Sequence, residues 1–209
     1  MIDQLDNLIN HLLTYRESKG KQALTFRGAT ISFATPDEDF NLKPAINFFL
    51  YDIRENLSFR TSGQYSMPSR ADREAASKKG QTISLKPLPL HVDFSYLITV
   101  WGNDNATKAK EEHQLLGNVM LELARYPSFP EEVLQQHPLF ATAEPVPKIT
   151  MLDAPRLQNI GEFWSAMKGK PKPMLHYTVT LPIYLLDKDL QVEVDLIPEE
   201  MDIVVSLKK

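Results

Sequence analysis

Two stretches of the chain alternate strictly between apolar and polar residues. In LPLHVDFSYLITV the apolar residues take the even positions from Leu88 to Val100, and in LHYTVTLPIYL they take the odd positions from Leu175 to Leu185. Successive side chains of a strand point to opposite faces, so each stretch predicts a strand with one apolar and one mostly polar face. This pattern is typical of an antiparallel sheet that is packed on one side only.

Other patterns predict the remaining elements. The run AINFFLYDI at residues 45–53 is apolar at both alternations and predicts a central strand covered on both faces, while ATISFA at 29–34 predicts a short strand. Residues 2–19 and 105–126 carry apolar residues at three-and-four spacing and predict two long helices. We therefore expect an α+β fold, a mostly antiparallel amphipathic sheet with two long helices packed on one face.

Two charged segments stand apart from this pattern. Residues 60–82 form a long polar loop, whose 60–80 part carries five basic and two acidic residues, a local charge of 5 − 2 = +3. Loops of this length inside a domain are usually functional or disordered. Residues 187–209 carry three basic and seven acidic residues, a local charge of 3 − 7 = −4, and alternate in part like strands. We predict a domain over 1–186 and an acidic C-terminal extension over 187–209, which closes a sheet edge or reaches to a neighbour as an arm.

The composition removes several classes of function. The 209 residues include no cysteine, which excludes disulfides, thiolate metal sites and cysteine nucleophiles, and the net charge of −4 provides no global field for nucleic acid. No apolar run approaches the ~20 residues that span a bilayer. The N-terminal MIDQLDNLIN lacks the basic and apolar regions of a signal peptide. We expect a cytoplasmic protein that neither binds nucleic acid nor inserts into a membrane.

The titratable residues of the second long helix do not form a catalytic group. Glu111, Glu112 and His113 are consecutive, so their side chains fan out by about 100° each around the helix and cannot converge on one ion. A zinc peptidase helix needs two histidines four residues apart with a glutamate between them. We interpret this cluster as the solvated edge of a packing helix.

The other histidines leave one enzymatic alternative open. His91 and His176 lie on the polar faces of two predicted strands and become neighbours if those strands pair, so that, with Asp93, they would serve a small hydrolase. His11 and His137 have no partner in the sequence. We predict a protein without enzymatic activity, with no catalytic residue, no cofactor and no metal site.

The stretch NIGEFWSAMKGKPKP contains two adjacent aromatic residues, Phe163 and Trp164, in a predicted short helix closed by Gly169. One interpretation is a buried anchor that fixes this crossover onto the sheet. The alternative is an exposed aromatic hot spot at a contact between subunits.

The order of these segments resembles a known family. The first helix is followed by INFFLYDIRENLSFR, LPLHVDFSYLITVWG, EEHQLLGNVMLELARYP and EFWSAMKGKPKPMLHYTVTLPI. Over residues 2–186 this resembles the N-terminal domain of the tail-terminator, or cap, proteins of phage-tail-like contractile injection systems. The acidic extension falls outside the resemblance.

The resemblance implies a non-enzymatic structural protein that forms a hexameric ring. Such a ring caps the distal end of the inner tube and joins it to the last layer of the sheath. The implied partners are other copies of the chain, the inner tube protein and the sheath protein, in a particle assembled in the cytoplasm and then released or tethered to a membrane. The alternative within the same particle is a baseplate or adaptor component.

A closed ring needs two different surfaces on each subunit, and opposite charges help to set their register. We expect the 60–80 loop to face the ring axis or the tube, and the tail or an exposed strand edge to pair with sheath strands by β-augmentation. The interface candidates are Arg60, Arg70, Arg73, Lys78, Lys79, Leu97, Trp101, Phe163, Trp164, Glu193 and Asp195.

Overall fold

The structure is a computed structural model that describes residues 1–15, 26, 28–37, 40–60, 65–66, 82–85, 87–103, 105–152, 157, 159–185 and 190–193. The chain forms two compact units, one over residues 1–55 and 92–182 and the other over 56–91 and 183–209. The domain boundaries expected from the sequence, 1–186 and 187–209, stay a prediction.

The first unit contains a five-stranded sheet in the order β1-β2-β4-β6-β5. Its strands are β1 (Thr30–Ser32), β2 (Ala45–Glu55), β4 (Leu90–Trp101, of which residues 92–101 belong to this unit), β5 (Lys148–Met151) and β6 (Met174–Ile183). β1 runs parallel to β2, while β2 with β4 and β5 with β6 are antiparallel. The predicted α+β class with a mostly antiparallel sheet is confirmed.

The pairing of β4 with β6 is fixed by two side-chain contacts. The Ser95 hydroxyl lies 3.4 Å from that of Thr178, and the Thr180 hydroxyl donates a 2.7 Å hydrogen bond to Asp93 Oδ1. The residue numbers rise from 93 to 95 along β4 while those of their partners on β6 fall from 180 to 178, so the two strands are antiparallel. β4 is thus the central strand of the sheet, and it is buried on both of its faces.

The prediction of a sheet packed on one side only is therefore wrong. Polar residues of β4 and β6 that the alternation assigned to an open face are buried, namely Asp93, Ser95, Thr99, Thr178 and Thr180. The hydrogen bond between Asp93 and Thr180 shows how this burial is tolerated, because a buried polar group that keeps a partner avoids most of the desolvation cost.

The apolar face carries both predicted helices, α1 (Ile2–Tyr15) and α2 (Lys108–Leu123). α1 buries Leu5, Leu8, Ile9, Leu12 and Leu13, and its Asp6 accepts a hydrogen bond from the Tyr96 hydroxyl. Leu116 of α2 lines a small cleft together with Val100. Tyr96 and Val100 are both even positions of β4, so the two helices lie on the same face of the sheet.

Both helices are shorter in the described residues than the sequence predicts. Residues 16–19 lie outside the described part. α2 begins at Lys108 instead of 105, because the Asn105 side chain accepts the Thr107 backbone N–H at 3.0 Å and so forms a turn. The first unit also contains the short helices α3 (Glu131–Leu134), α4 (Pro138–Ala141) and α5 (Ile160–Ala166).

The second unit contains a separate two-stranded sheet. β3 (Thr82–Leu85) pairs antiparallel with β7 (Leu190–Glu193), with Thr82 opposite Glu193 and Leu85 opposite Leu190. A 3-10 turn at Leu57–Phe59 begins at Asn56, whose side chain accepts the Ser58 N–H. Part of the acidic extension is thus a strand, and it pairs with the chain that follows the 60–80 loop. Among the described residues, no helix is long and apolar enough to cross a membrane.

Candidate interaction surfaces

The aromatic pair Phe163–Trp164 lies on α5, a helix of two turns with defined ends. The Asn159 side chain accepts the Glu162 backbone N–H at its start, and Gly169 N–H donates to the Trp164 carbonyl at 3.0 Å after its end. Trp164 is only 1% exposed, and the position of a Cβ on Gly169 would lie 3.1 Å from its ring. Trp164 is thus a buried anchor of the crossover, which agrees with the first of the two interpretations.

Phe163 is the member of the pair that keeps exposed surface. Its ring centroid lies 6.1 Å from that of Phe49 on β2, and its side chain is half-buried. A contact between Phe163 and a neighbouring subunit stays a prediction.

Trp101, at the end of β4, is held between an aromatic ring and a cation. Its ring stacks on Phe40 at 4.6 Å between centroids, and Lys172 Nζ lies 4.6 Å from the Trp101 centroid. Lys172 also donates to Glu112 Oε1 at 2.7 Å, and the same oxygen accepts the Gly102 N–H at 2.9 Å. We name Trp101, Gly102, Glu112 and Lys172 the β4–α2 corner. This corner joins the ends of three chain segments and leaves Trp101 half-exposed.

Leu97 lies in the core of the sheet and not on an open face. It is 0% exposed and pairs in register with Phe49 of β2. Because its face of the sheet is covered within the chain, Leu97 contributes no surface to a contact in this conformation. This burial argues against the role of interface residue that the sequence suggested for Leu97.

The charged interface candidates are described only in part. Arg60 follows the 3-10 turn and is exposed, and Glu193 is the last residue of β7. The other candidates lie outside the described residues, namely Arg70, Arg73, Lys78, Lys79 and Asp195. Their roles stay predictions.

Several exposed apolar residues were not singled out from the sequence. They include Ile53, Leu57, Leu121, Leu139, Val146, Leu152 and Leu185. Helical spacing alone would have found Leu121, because it falls off the buried stripe of Leu115, Val119 and Leu123. Leu152 has no such sequence signal; it follows β5 with a φ of 58°.

The histidines proposed for a hydrolase have different partners. His176 Nδ1 lies 3.2 Å from the Tyr51 hydroxyl, and the His91 ring lies 5.2 Å from that of Phe59. Continuing the β4–β6 register places His176 across from Leu97. The two strands pair as the hydrolase alternative requires, but their register sets His176 opposite Leu97 and not opposite His91.

The consecutive residues Glu111, Glu112 and His113 also separate. Glu111 accepts a 2.7 Å hydrogen bond from the Thr107 hydroxyl, Glu112 joins the β4–α2 corner, and His113 is exposed. Within the described ranges, no three His, Cys, Asp or Glu side chains are grouped so that they could hold a metal ion.

One pair of titratable residues was missed by the sequence analysis. His11 Nδ1 of α1 lies 3.2 Å from Nε2 of His137, the residue that precedes α4, with ring centroids 5.4 Å apart. The pKa of His137 is lowered, first by burial and then by repulsion from His11. The two residues are 126 positions apart, so no local pattern could have paired them.

Comparison with known proteins assigns the chain to a family. Residues 4–194 match the model of the Pvc16 N-terminal domain family. No curated protein sequence matches the chain.

Two solved structures are similar in fold. The sheath/tube terminator of the PVC extracellular contractile injection system, in the extended state, has a TM-score of 0.57 and 20% identity over 100% of this chain. The tube-terminating cap of the anti-feeding prophage has a TM-score of 0.55 and 23% identity over 98%. The match covers 64% and 61% of those two proteins, so this chain spans a little under two thirds of their length.

Proposed function

The chain belongs to the Pvc16 N-terminal domain family, and we propose that it is a non-enzymatic tube terminator, or cap, of a contractile injection particle. The observation that carries this proposal is the fold, which is shared over the whole chain with two tube-terminating proteins. A buried and hydrogen-bonded core agrees with a structural role.

In this proposal, six copies form a ring that ends the inner tube and joins it to the last layer of the sheath. A ring closes when each subunit presents two different, complementary surfaces. The half-exposed Trp101 and Phe163 are described candidates in the first unit, and the exposed Arg60 is one in the second unit. The charge difference between the 60–80 loop and the acidic extension supplies complementary signs for register.

The two-stranded sheet is the proposed attachment point for the sheath. An isolated pair of strands is marginally stable in water, and its edges hold unpaired backbone groups that can accept a further strand. In the part of the chain that the structure describes, β3 and β7 form a two-stranded sheet of four residues each. We expect a sheath strand to extend this sheet by β-augmentation.

Cryo-electron microscopy of particles with and without this chain tests the proposal. We expect a six-fold ring at the end of the tube away from the baseplate, and tubes of irregular length when the chain is deleted. A location at the baseplate end would support the adaptor alternative and contradict the cap assignment.

Truncations separate the roles within the acidic extension. A chain ending at residue 193 keeps β7, whereas a chain ending at Asp187 removes the partner of β3. Sheath attachment should survive the first truncation and weaken in the second, measured as sheath retained on purified particles. Equal attachment in both would show that β7 is not the docking element.

The role of the 60–80 loop is tested by charge and not by deletion alone. One variant neutralises the basic candidates of the loop, and a matched variant of equal loop length neutralises Asp72 and Glu74 instead. Only the first should lower incorporation into particles, and higher salt should lower the incorporation of the wild type as well, because it screens the same charges. The basic residues neutralised in the first variant are Arg70, Arg73, Lys78 and Lys79.

A further inference from the structure

The two paired histidines outside the proposed interfaces have the geometry of metal ligands. Two nitrogens that bind one tetrahedral ion at the usual Zn–N distance are roughly 3.3–3.4 Å apart. His11 Nδ1 and His137 Nε2 are 3.2 Å apart, and no backbone movement is needed to bring them together. We propose that His11 and His137 bind a divalent transition-metal ion that prefers imidazole, with water completing its coordination.

Each ring is held on a well-defined element. His11 lies on α1, which is fixed to the core by Leu8, Ile9 and Leu12 on neighbouring turns. The His137 backbone donates to the Leu134 carbonyl at 2.9 Å and accepts the Phe140 N–H at 2.8 Å, so it is fixed between α3 and α4. Rigid support of this kind lowers the entropy lost when two side chains bind one ion.

Metal binding requires a defined tautomer of each ring. Imidazole binds a metal as the neutral ring, through a nitrogen that carries no proton. When an ion enters, the ring that donates the hydrogen bond between the two nitrogens changes tautomer, so that its proton moves to the nitrogen facing away.

The number of ligands limits the strength of binding, and their chemical type determines the class of ion. Within the described part of the chain the site has two protein ligands, fewer than the three or four of catalytic and structural zinc sites. Both rings are partly exposed, so water has access to the remaining positions. Imidazole favours Zn²⁺, Ni²⁺ and Cu²⁺ over Mg²⁺ and Ca²⁺, which prefer oxygen ligands.

Isothermal titration of the full chain, without a histidine tag, tests the proposal with Zn²⁺ as the probe and Mg²⁺ as the control. We expect saturable binding of one Zn²⁺ per chain and no saturable binding of Mg²⁺. His11→Gln and His137→Gln should each weaken Zn²⁺ binding about ten-fold or more, because each removes one of two ligands. His113→Gln, at an exposed position of α2, should bind like the wild type.

Thermal unfolding provides a second measurement. An ion that binds only the folded state should raise the Tm by about 3–6 °C at ten times its Kd, for a chain of this size. The increase should be absent in His11→Gln and present in His113→Gln.

Imidazole NMR of the wild type requires no variant and keeps the proposal falsifiable if a substitution unfolds the chain. Zn²⁺ should shift the ring nitrogens of His11 and His137 together, at one equivalent. Binding that persists in both Gln variants, or shifts confined to other histidines, would overturn the proposal. Absence of saturable Zn²⁺ binding in the wild type would overturn it as well.

Discussion

The Glu112 carboxylate and the Lys172 ammonium are 2.7 Å apart and only 13% and 12% exposed, although 60 residues separate them in the chain. A pair this shielded differs from surface salt bridges, which contribute little. Glu112 also accepts the Gly102 N–H, and Lys172 covers the Trp101 ring. The pair therefore connects the start of α2, the end of β4 and the approach to β6.

Removing one member of this pair should leave the other without its counter-charge. Glu112→Gln is expected to lower the free energy of unfolding by about 1–3 kcal/mol, and Lys172→Met by a similar amount. The two effects should be less than additive in the double variant, measured by urea unfolding. Lys110→Met, at an exposed position of α2, is the matched control and should change the free energy of unfolding by less than about 0.5 kcal/mol. Full additivity would contradict a direct interaction.

The anchor at Trp164 gives a second prediction. Trp164→Ala should cost about 3–5 kcal/mol because it empties a fully buried site, whereas Phe163→Ala, at a half-buried site, should cost clearly less. If Phe163 is an interface residue, its variant should fold normally and lose ring assembly, as judged by light scattering. Loss of assembly without loss of stability in Trp164→Ala would contradict the assignment of Trp164 to the core.

Gly169→Ala tests the close approach behind this anchor. The added Cβ would lie 3.1 Å from the Trp164 ring, closer than most such contacts, so the ring or the turn must move. We expect a loss of about 1–3 kcal/mol, as for other overpacked sites. Gly117→Ala is the control, because a Cβ there meets nothing within 4 Å and alanine favours a helix.

The hydrogen bond from Tyr96 to Asp6 should be visible in a titration. Burial raises the pKa of Asp6 above 3.8, the 2.8 Å hydrogen bond from the Tyr96 hydroxyl opposes that rise, and repulsion from Asp3 adds to it. Tyr96→Phe removes the opposing contribution, so the Asp6 pKa should rise further, measured by carboxyl carbon NMR. Tyr177→Phe, at a buried hydroxyl for which the described residues supply no hydrogen bond, should leave it unchanged.

The raised pKa of Asp6 also sets the sign of its effect on stability. Between 3.8 and the higher folded pKa, the folded chain holds more protons than the unfolded chain, so the contribution of Asp6 to stability falls as the pH rises. Asp6→Asn should remove this dependence. A contribution that rises with pH across the same window would contradict the assignment.

His137 should have the opposite pH dependence. Its folded pKa lies below the ordinary value of 6.5, so the unfolded chain binds more protons in the window below 6.5. Stability from this residue is therefore complete above pH 6.5 and is lost as the pH falls through the folded pKa. His137→Gln should flatten the fall in urea midpoint between pH 7.5 and 5 when EDTA is present, and His113→Gln should leave it as in the wild type.

Much of the fold could be predicted because its signals are local. Alternation identified β4 and β6, and helical spacing identified α1 and α2. In each case the spacing of apolar residues within a short stretch of sequence is enough to indicate the element. The order of segments was enough to indicate the family that the comparison confirms. Exact ends were harder to predict, as at Lys108, because a side-chain turn competes with the helix there.

The candidate surfaces could be predicted only in part, because exposure is a property of packing. Trp101 and Phe163 retain open surface, whereas Leu97 and Trp164 have almost none, yet nothing in their local sequence distinguishes them. The same reason explains why the polar face of β4 was assigned to solvent. The sequence of one strand contains a threonine or an aspartate, but it does not show whether a hydrogen-bonding partner on another strand is buried together with that residue.

By itself, the sequence determined which segments become strands and helices and which family the chain belongs to, because both are encoded in short periodic patterns and their order. Only the tertiary structure decided which polar groups meet, as in Asp93 with Thr180, Glu112 with Lys172 and His11 with His137. It also decided that β7 of the acidic extension pairs with β3. These contacts join residues 60 or more positions apart. Their formation depends on the packing of the whole chain, and the spacing of apolar residues within one segment does not reveal it.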